Sequence, residues 1–384
     1  MKQLQLYVLC LCICLGMVQI SSAKSAESID STKIYYAKQV HQKVAIDAKK
    51  LTQTSKPQNV ILFIGDGMGV SQVFSALTAN HGTLNLEYLK YMGFSKTQSA
   101  NKFITDSGAG GTALATGHKT NNHMVGLTPD SLPVPNLIEL AEAKGLLTGF
   151  VVTCANVHAT PADFYAHSLN RYFYHEIASD FLDVDIDVAI GGGLKYFEAD
   201  SSHESLIPQL KKSGYTVVTE FDQLATAPDG KLFAALAQDH LPKAVENPDY
   251  MEKSVEIALN RLGHHNKGFF LMVEGSQIDW GGHNNDTGYI VEETLALDRA
   301  IGVALKFTVR DGNTLIVCTA DHETGGMVVK TGCMKTGEVY AEYVTGTHTG
   351  VMVPVYAIGP GADRFLGIYE NTVVFDRIKE LLKL

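Results

Sequence analysis

The sequence predicts an α/β fold, with a central, largely parallel β-sheet flanked by helices on both faces. Three observations carry it. Short, continuous apolar runs rich in β-branched and aromatic residues recur along the chain, as strands buried on both faces require. Helical patterns separate them, which suits the crossover connections of a parallel sheet. Just beyond four of these runs stand carboxylates, imidazoles or hydroxyls. Such strands would deliver metal-ligating groups to the one edge where open α/β sheets bind ligands.

Taken in order, residues 1–23 read as a cleavable secretory signal. Met1-Lys2 is a short basic start, residues 6–18 are uncharged and apolar, and Ser21-Ser22-Ala23 supplies a small-residue end. The apolar run falls short of the ~20 residues that a membrane span needs. The C-terminal residues 378–384 lack the long apolar tail of a lipid-anchor signal, so no membrane anchor is expected. Secretion or periplasmic export after cleavage near Ala23 follows. Residues 24–57 are polar and read as an N-terminal arm or linker, with a helix over 34–51 and a breaker at Pro57. Residues 58–384 show no repeat and no second linker, and are expected to form one domain. Within it, strands are expected at 60–64, 149–153, 268–273 and 314–319, and a further one at 353–358. Helices are expected at 137–144, 250–262 and 289–307. The first four strands run respectively into Asp66; His158 and Thr160; Glu274 and Asp279; and Asp321 with His322.

Composition narrows the function. The 384 residues carry 31 Lys+Arg against 41 Asp+Glu, a net charge of −10, without long single-sign runs. A nucleic-acid-binding face has no support from this balance. An enzyme for an anionic substrate would have to create a local positive field within a negative protein. Removal of residues 1–23 leaves Cys154, Cys318 and Cys333, which allow at most one disulfide. Gly65-Asp66-Gly67-Met68-Gly69 lacks the third glycine of a dinucleotide fingerprint, and Gly117-His118 has His where a phosphate-binding loop needs Lys.

Three constellations remain. Asp279 and His283 stand four residues apart, one helical turn, so both can meet one cation. Asp321-His322 lies at a strand end, where adjacent residues in a turn can converge on a metal, and His348 adds another imidazole before the 353–358 strand. His203, His240, His264 and His265 read as solvated loop residues. Thr105 to Thr112 place a hydroxyl, Ser107, at the start of a helix whose small residues would let a tetrahedral oxyanion approach the first-turn N–H groups. The alternative is a simple Ser cap with glycine-rich packing. A serine needs activation, and with no Ser–His–acid order around it metal coordination is the remaining activator.

These residues resemble the alkaline phosphatases over nearly all of 56–384. The matching segments, in family order, are residues 63–69, Asp106 to Thr112, Ala159-Thr160-Pro161 with Arg171 downstream, 273–283, 319–323 and 347–350. The resemblance implies that Asp279, His283 and His348 hold one zinc. It implies a second zinc on Asp66, Asp321 and His322, also taking the Ser107 oxygen, and a magnesium on Asp66, Thr160 and Glu274. Two zinc ions can clamp the attacking and leaving oxygens of an in-line displacement, while Arg171 forks onto two phosphate oxygens. The implied activity is hydrolysis of a broad range of small phosphate monoesters through a phosphoserine, by a homodimer. His158 and Trp280 lie beside the site, at positions where family members differ: some have Asp for the first, others Lys or His for the second. Trp280 cannot offer a charge to phosphate. The short stretch from His322 to His348 implies a minimal surface insertion.

Two rival functions lack the residues they would need or leave those present without a use. A sulfatase of the same superfamily would need a Cys/Ser-x-Pro-x-Arg sequence around Ser107, which is absent, and a diesterase would not call for Thr160, Glu274 and Arg171 together. A catalytically silent phosphate- or metal-binding protein would not need the nucleophile, both zinc sets and the arginine.

Overall fold

The computed structural model describes residues 30–51, 56–264 and 267–384. The expected signal segment, 1–23, lies outside the described residues. The chain divides into residues 1–34 and a body of residues 35–384. Of the first unit, residues 30–34 are described, and they hold one 3-10 turn, Ser31–Lys33.

The body is built on a ten-stranded sheet. Its centre is β2 (Asn59–Gly65), β4 (Leu147–Ala155), β8 (Phe269–Gly275) and β9 (Thr314–Thr319), four of the predicted strands. β3 (Tyr91–Lys96), β5 (Val188–Gly192), β6 (Thr216–Val218), β7 (Leu232–Ala235), β14 (Val353–Ile358) and β15 (Gly367–Glu370) complete it. The spatial order is β15-β3-β14-β9-β2-β8-β4-β5-β7-β6. Every pairing is parallel except those of β14 with β3 and β9, so β14 alone runs against the others.

All seven residues of β2 are buried, because each face of the sheet meets a helical layer. The pleat sends Ile61 and Phe63 into one core and Val60, Leu62 and Ile64 into the other. The first core is closed by α1 (Val70–Ala79), α7 (Tyr250–Gly263) and α9 (Thr287–Asp311). The second receives α2 (Ser107–Thr116), α3 (Leu137–Ala143), α5 (Tyr174–Asp180), α6 (Ile207–Lys212) and α10 (Thr372–Leu382). Asp286 caps α9 through the Tyr289 N–H, and Gly312 ends it in the left-handed conformation at φ 72°, a backbone state in which a side chain would clash. Two short helices, α4 (Ala159–Asp163) and α8 (Gln277–His283), follow β4 and β8 directly.

The insertion between His322 and His348 is small, as expected. It is a hairpin of β11 (Met327–Cys333) and β12 (Glu338–Tyr343), with the two-residue β1 (Tyr35–Tyr36) added to its edge. Beneath it β10 (Glu323–Thr324) pairs antiparallel with β13 (His348–Thr349), setting Thr324 opposite His348.

The helix expected over 34–51 does not form: β1 and a 3-10 turn at Ala48–Leu51 are its only regular pieces. The reason lies in the backbone donors. The N–H groups of Lys38, His41 and Val44 are taken by Glu292, Asn80 and Asn85 at 2.6–2.8 Å. With its amides bonded to side chains of the body, this stretch gains nothing from an internal helical ladder.

Candidate active site

The carboxyl edge of the sheet gathers the chemistry. β2 delivers Asp66, β4 leads through His158 into Thr160 on α4, β8 ends in Glu274 and opens into α8 with Asp279 and His283, and β9 runs to Asp321 and His322. β3 leads to Ser107 at the start of α2. His348 precedes its strand rather than following it, yet reaches the same edge because β14 runs the other way.

Asp279 and His283 share one turn of α8, with Asp279 Oδ2 3.2 Å from His283 Nε2. His348 Nε2 lies 3.5 Å from Asp279 Oδ1 and 3.1 Å from His283 Nε2. The other ring nitrogens settle the tautomers. His283 Nδ1 faces the Gly346 carbonyl and His348 Nδ1 the Thr105 carbonyl, both at 2.9 Å. A carbonyl only accepts, so each ring donates from Nδ1, and in the neutral form each turns an Nε2 lone pair toward the other, that of His283 once a cation takes the place of the proton it shares with Asp279. Two lone pairs and a carboxylate converging in this way suit a cation between them.

The neighbouring cluster is deeper. His322 Nε2 lies 3.1 Å from Asp321 Oδ2, 3.5 Å from Asp66 Oδ1 and 3.3 Å from Ser107 Oγ. Asp66, Glu274, Asp321 and His322 are each 0% exposed. Neither oxygen of Asp66 takes a hydrogen bond, nor do Asp321 Oδ2, Glu274 Oε1 or Thr160 Oγ1. Buried polar atoms are almost always bonded, so this concentration of orphaned oxygens marks a place for positive charge. Burial, then the charges of Asp321, Asp279 and Glu274, push Asp66 well above the usual carboxylate range. Burial likewise carries Asp321 to about 7 and Glu274 to about 6. Burial drives His322 well below the usual imidazole value, whereas the hydrogen bond to Asp279 lifts His283 to about 9. The donor sets, imidazole with carboxylate on one side and oxygen alone around Thr160 and Glu274, fit a borderline and a hard divalent cation respectively.

Ser107 is not the cap of α2. Asp106 is, its Oδ1 accepting the Ala109 N–H at 3.1 Å. Asp106 Oδ2 meets Arg171 Nη1 at 3.4 Å and the His123 N–H at 3.0 Å, so one carboxylate fixes both the helix carrying the hydroxyl and the guanidinium. The glycines after Ser107 serve packing: a Cβ on Gly111 would lie 2.1 Å from Asp163 Oδ2, and one on Gly110 3.1 Å from the Asp321 carbonyl.

Residues 57–343, about three quarters of the chain, match the sequence profile of the alkaline phosphatases. The chain belongs to the alkaline phosphatase family. Alkaline phosphatase 4 of Bacillus subtilis (strain 168) is 31% identical, the alignment spanning 94% of this chain and 96% of the relative. The alkaline phosphatase from the Antarctic bacterium TAB5 is 39% identical and superposes with a TM-score of 0.81, covering 86% of this chain and 99% of its own. A His-to-Asp variant of the TAB5 enzyme, with Mg bound in the site termed M3, is 38% identical with a TM-score of 0.80. This alkaline phosphatase is accordingly a metal-dependent hydrolase of phosphate monoesters.

The edge of this phosphatase also holds groups that the sequence reading passed over. His240, expected in solvent, is instead half-buried, its ring 4.6 Å from that of Trp280 and 5.5 Å from that of His158. Its Nδ1 accepts the Ala155 N–H at the end of β4, which holds the ring inward. His158 Nε2 stands 3.5 Å from Arg171 Nη2, and burial and then the guanidinium hold this imidazole well below its usual value, hence neutral. Thr324 donates its hydroxyl to Asp279 Oδ1, and Ser276 donates to Glu274 Oε2 at 2.6 Å. A sequence signal existed only for Ser276, two residues from Glu274; the other contacts join distant segments. His264 is exposed as expected, and His265 lies outside the described residues.

Proposed function

We propose that this phosphatase hydrolyses a broad range of small phosphate monoesters through a covalent phosphoserine on Ser107. In this reading Asp279, His283 and His348 hold one zinc; Asp66, Asp321 and His322 hold a second; and Asp66, Thr160 and Glu274 hold a magnesium. The observation that carries it is the meeting of lone pairs and orphaned carboxylate oxygens around a buried Ser107 Oγ, 3.3 Å from His322 Nε2. When bound, the cations supply Lewis-acid charge for the attacking and leaving oxygens.

The residues do the rest. Ser107 heads α2, where the helix dipole favours negative charge on its oxygen. Arg171, 8% exposed and steadied by Asp106, keeps its Nε without a protein partner and is free to fork onto two phosphate oxygens. Ser107 Oγ attacks phosphorus in line, the alcohol leaves from the opposite face, and water then cleaves the phosphoserine to release inorganic phosphate and the free hydroxyl. Neutral His158 and Trp280 line the approach without adding charge.

Among the described residues no helix is long and apolar enough to cross a membrane. Export through residues 1–23, an arm over 24–57 and a homodimer complete the proposal; sizing of the full and arm-deleted chains tests the last. For the chemistry, Ser107→Ala is expected to yield no phosphoenzyme and to lose monoester turnover by at least roughly a thousandfold. Chelation abolishes activity, and zinc with magnesium restores it. Wild-type turnover by the Ala variant, or faster cleavage of a diester than of a monoester, would sink the reading.

A further inference from the structure

A second group of metal-ligand residues lies outside the active site. His175 is the second residue of α5, and Asp200 with His203 sits in the loop after the 3-10 turn Leu194–Tyr196. That loop is tightly wound: the Ser202 and His203 N–H groups donate to Asp200 Oδ1 at 2.6 and 2.8 Å, and the Asp200 N–H donates to the His203 carbonyl at 3.0 Å. With Oδ1 anchored, Oδ2 lies 3.3 Å from His175 Nε2 and 3.0 Å from His203 Nδ1. The two imidazoles stack face to face, centroids 3.8 Å apart and planes 8° from parallel, with Tyr196 edge-on against His175. One ligand atom from each of the three residues lies within 4.8 Å of the others.

We propose that His175, Asp200 and His203 form a peripheral zinc site, independent of the active-site cluster. Two imidazoles stacked so closely repel one another if both are protonated. As neutral rings beside a carboxylate they are a His₂Asp set, in which one divalent ion supplies the positive charge once, between all three. Nitrogen donors select zinc or a similar transition ion over calcium or magnesium. Anchoring of Asp200 Oδ1 by backbone amides is the kind of outer support that orients metal-binding carboxylates. The side chains are 31–46% exposed, so water can complete the coordination. Because α5 begins three residues after Arg171, the ion ties the 198–206 loop to the helix that follows the phosphate-binding arginine.

The test uses the full chain, dialysed against zinc and freed of excess. The double variant His175→Ala/His203→Ala is expected to hold one zinc per chain fewer than wild type, to keep wild-type kcat on a monoester, and to lose part of the zinc-dependent rise in Tm. Asp200→Asn, which preserves the size of the turn residue, guards against misfolding; it weakens the last zinc equivalent by about a hundredfold. Equal zinc content in wild type and both variants, with the same zinc-dependent Tm, overturns the proposal.

Discussion

Thr324 bears on the candidate active site through its hydrogen bond to Asp279. Its hydroxyl hydrogen-bonds Asp279 Oδ1, while His283 approaches Oδ2. Thr324→Val keeps the shape and removes only this bond. The expected outcome is a 10–100-fold loss of zinc affinity, read by competition with a chelator, with kcat recovered at saturating zinc; unchanged affinity would show that Asp279 needs no such support. The residue also shows where sequence reading stops. Asp279 and His283 were legible because a single helical turn joins them, and Asp321-His322 because they are adjacent. Thr324 and Asp279 are 45 residues apart, and only the β10–β13 pairing and the α8 turn bring them together. His240 was misread for the same reason: nothing near it in the chain announces the Trp280 and His158 rings against which it packs.

Between elements, Glu139 does two jobs. It completes a reciprocal capping box with Asn136 at the start of α3, and its other oxygen lies 3.0 Å from His167 Nε2. His167 Nδ1 donates to the Gly126 carbonyl at 2.7 Å, so the ring is held as a double donor, the protonated form. The Glu139 bond raises His167 above its usual value; against burial, the hydrogen bonds from His167 and Asn136 lower Glu139. The signs bound a window. Stability from His167 is fully present below its unfolded pKa of about 6.5 and is lost as pH rises through the raised folded value. Stability from Glu139 is present above its unfolded pKa of about 4.3 and is lost as pH falls. His167→Gln should therefore cost about 1 kcal/mol near pH 5.5, after allowance for solvent screening, and progressively less at alkaline pH. Denaturant melts of both proteins across pH test this, and a pH-independent difference would refute it. Elements themselves were legible where burial on both faces writes an unbroken apolar run: the strands at 314–319 and 353–358 stand where expected, and β2, β4 and β8 lie within two residues of it. The 34–51 stretch was not, because its conformation is set by acceptors on Glu292, Asn80 and Asn85 rather than by its own periodicity.

For the molecule as a whole, the net charge of −10 takes on a local meaning. Asp66, Glu274, Asp279 and Asp321 are buried together, with Arg171 close by as the permanent positive charge. Asp66, Asp321 and Glu274 are raised by burial, so at these three carboxyls the metal-free fold keeps protons that the unfolded chain has released, whereas the buried rings of His322 and His158 hold fewer than they do unfolded. Below the unfolded imidazole pKa of about 6.5 the two sets oppose one another; above it the carboxyls act alone, so metal-free protein should lose stability as pH rises past about 6.5, and metal should abolish that decline. Thermal melts of chelated and reloaded protein will decide it: parallel pH profiles would contradict the account. The parallel sheet and its carboxyl-edge site were foreseeable from the strand ends, but the reversed direction of β14 was not, since an apolar run reads the same either way. The late place of His348 in the chain bears on the order in which the molecule can mature. Proposed ligands run from Asp66 near the start of the body to His348, which the β10–β13 pairing sets opposite Thr324 just before β14 enters the sheet between β3 and β9. A chain stopped short of His348 could fold the middle of the sheet and still lack one corner of the proposed metal cluster, so complete metal uptake would report that the polypeptide has closed from Asp66 to His348.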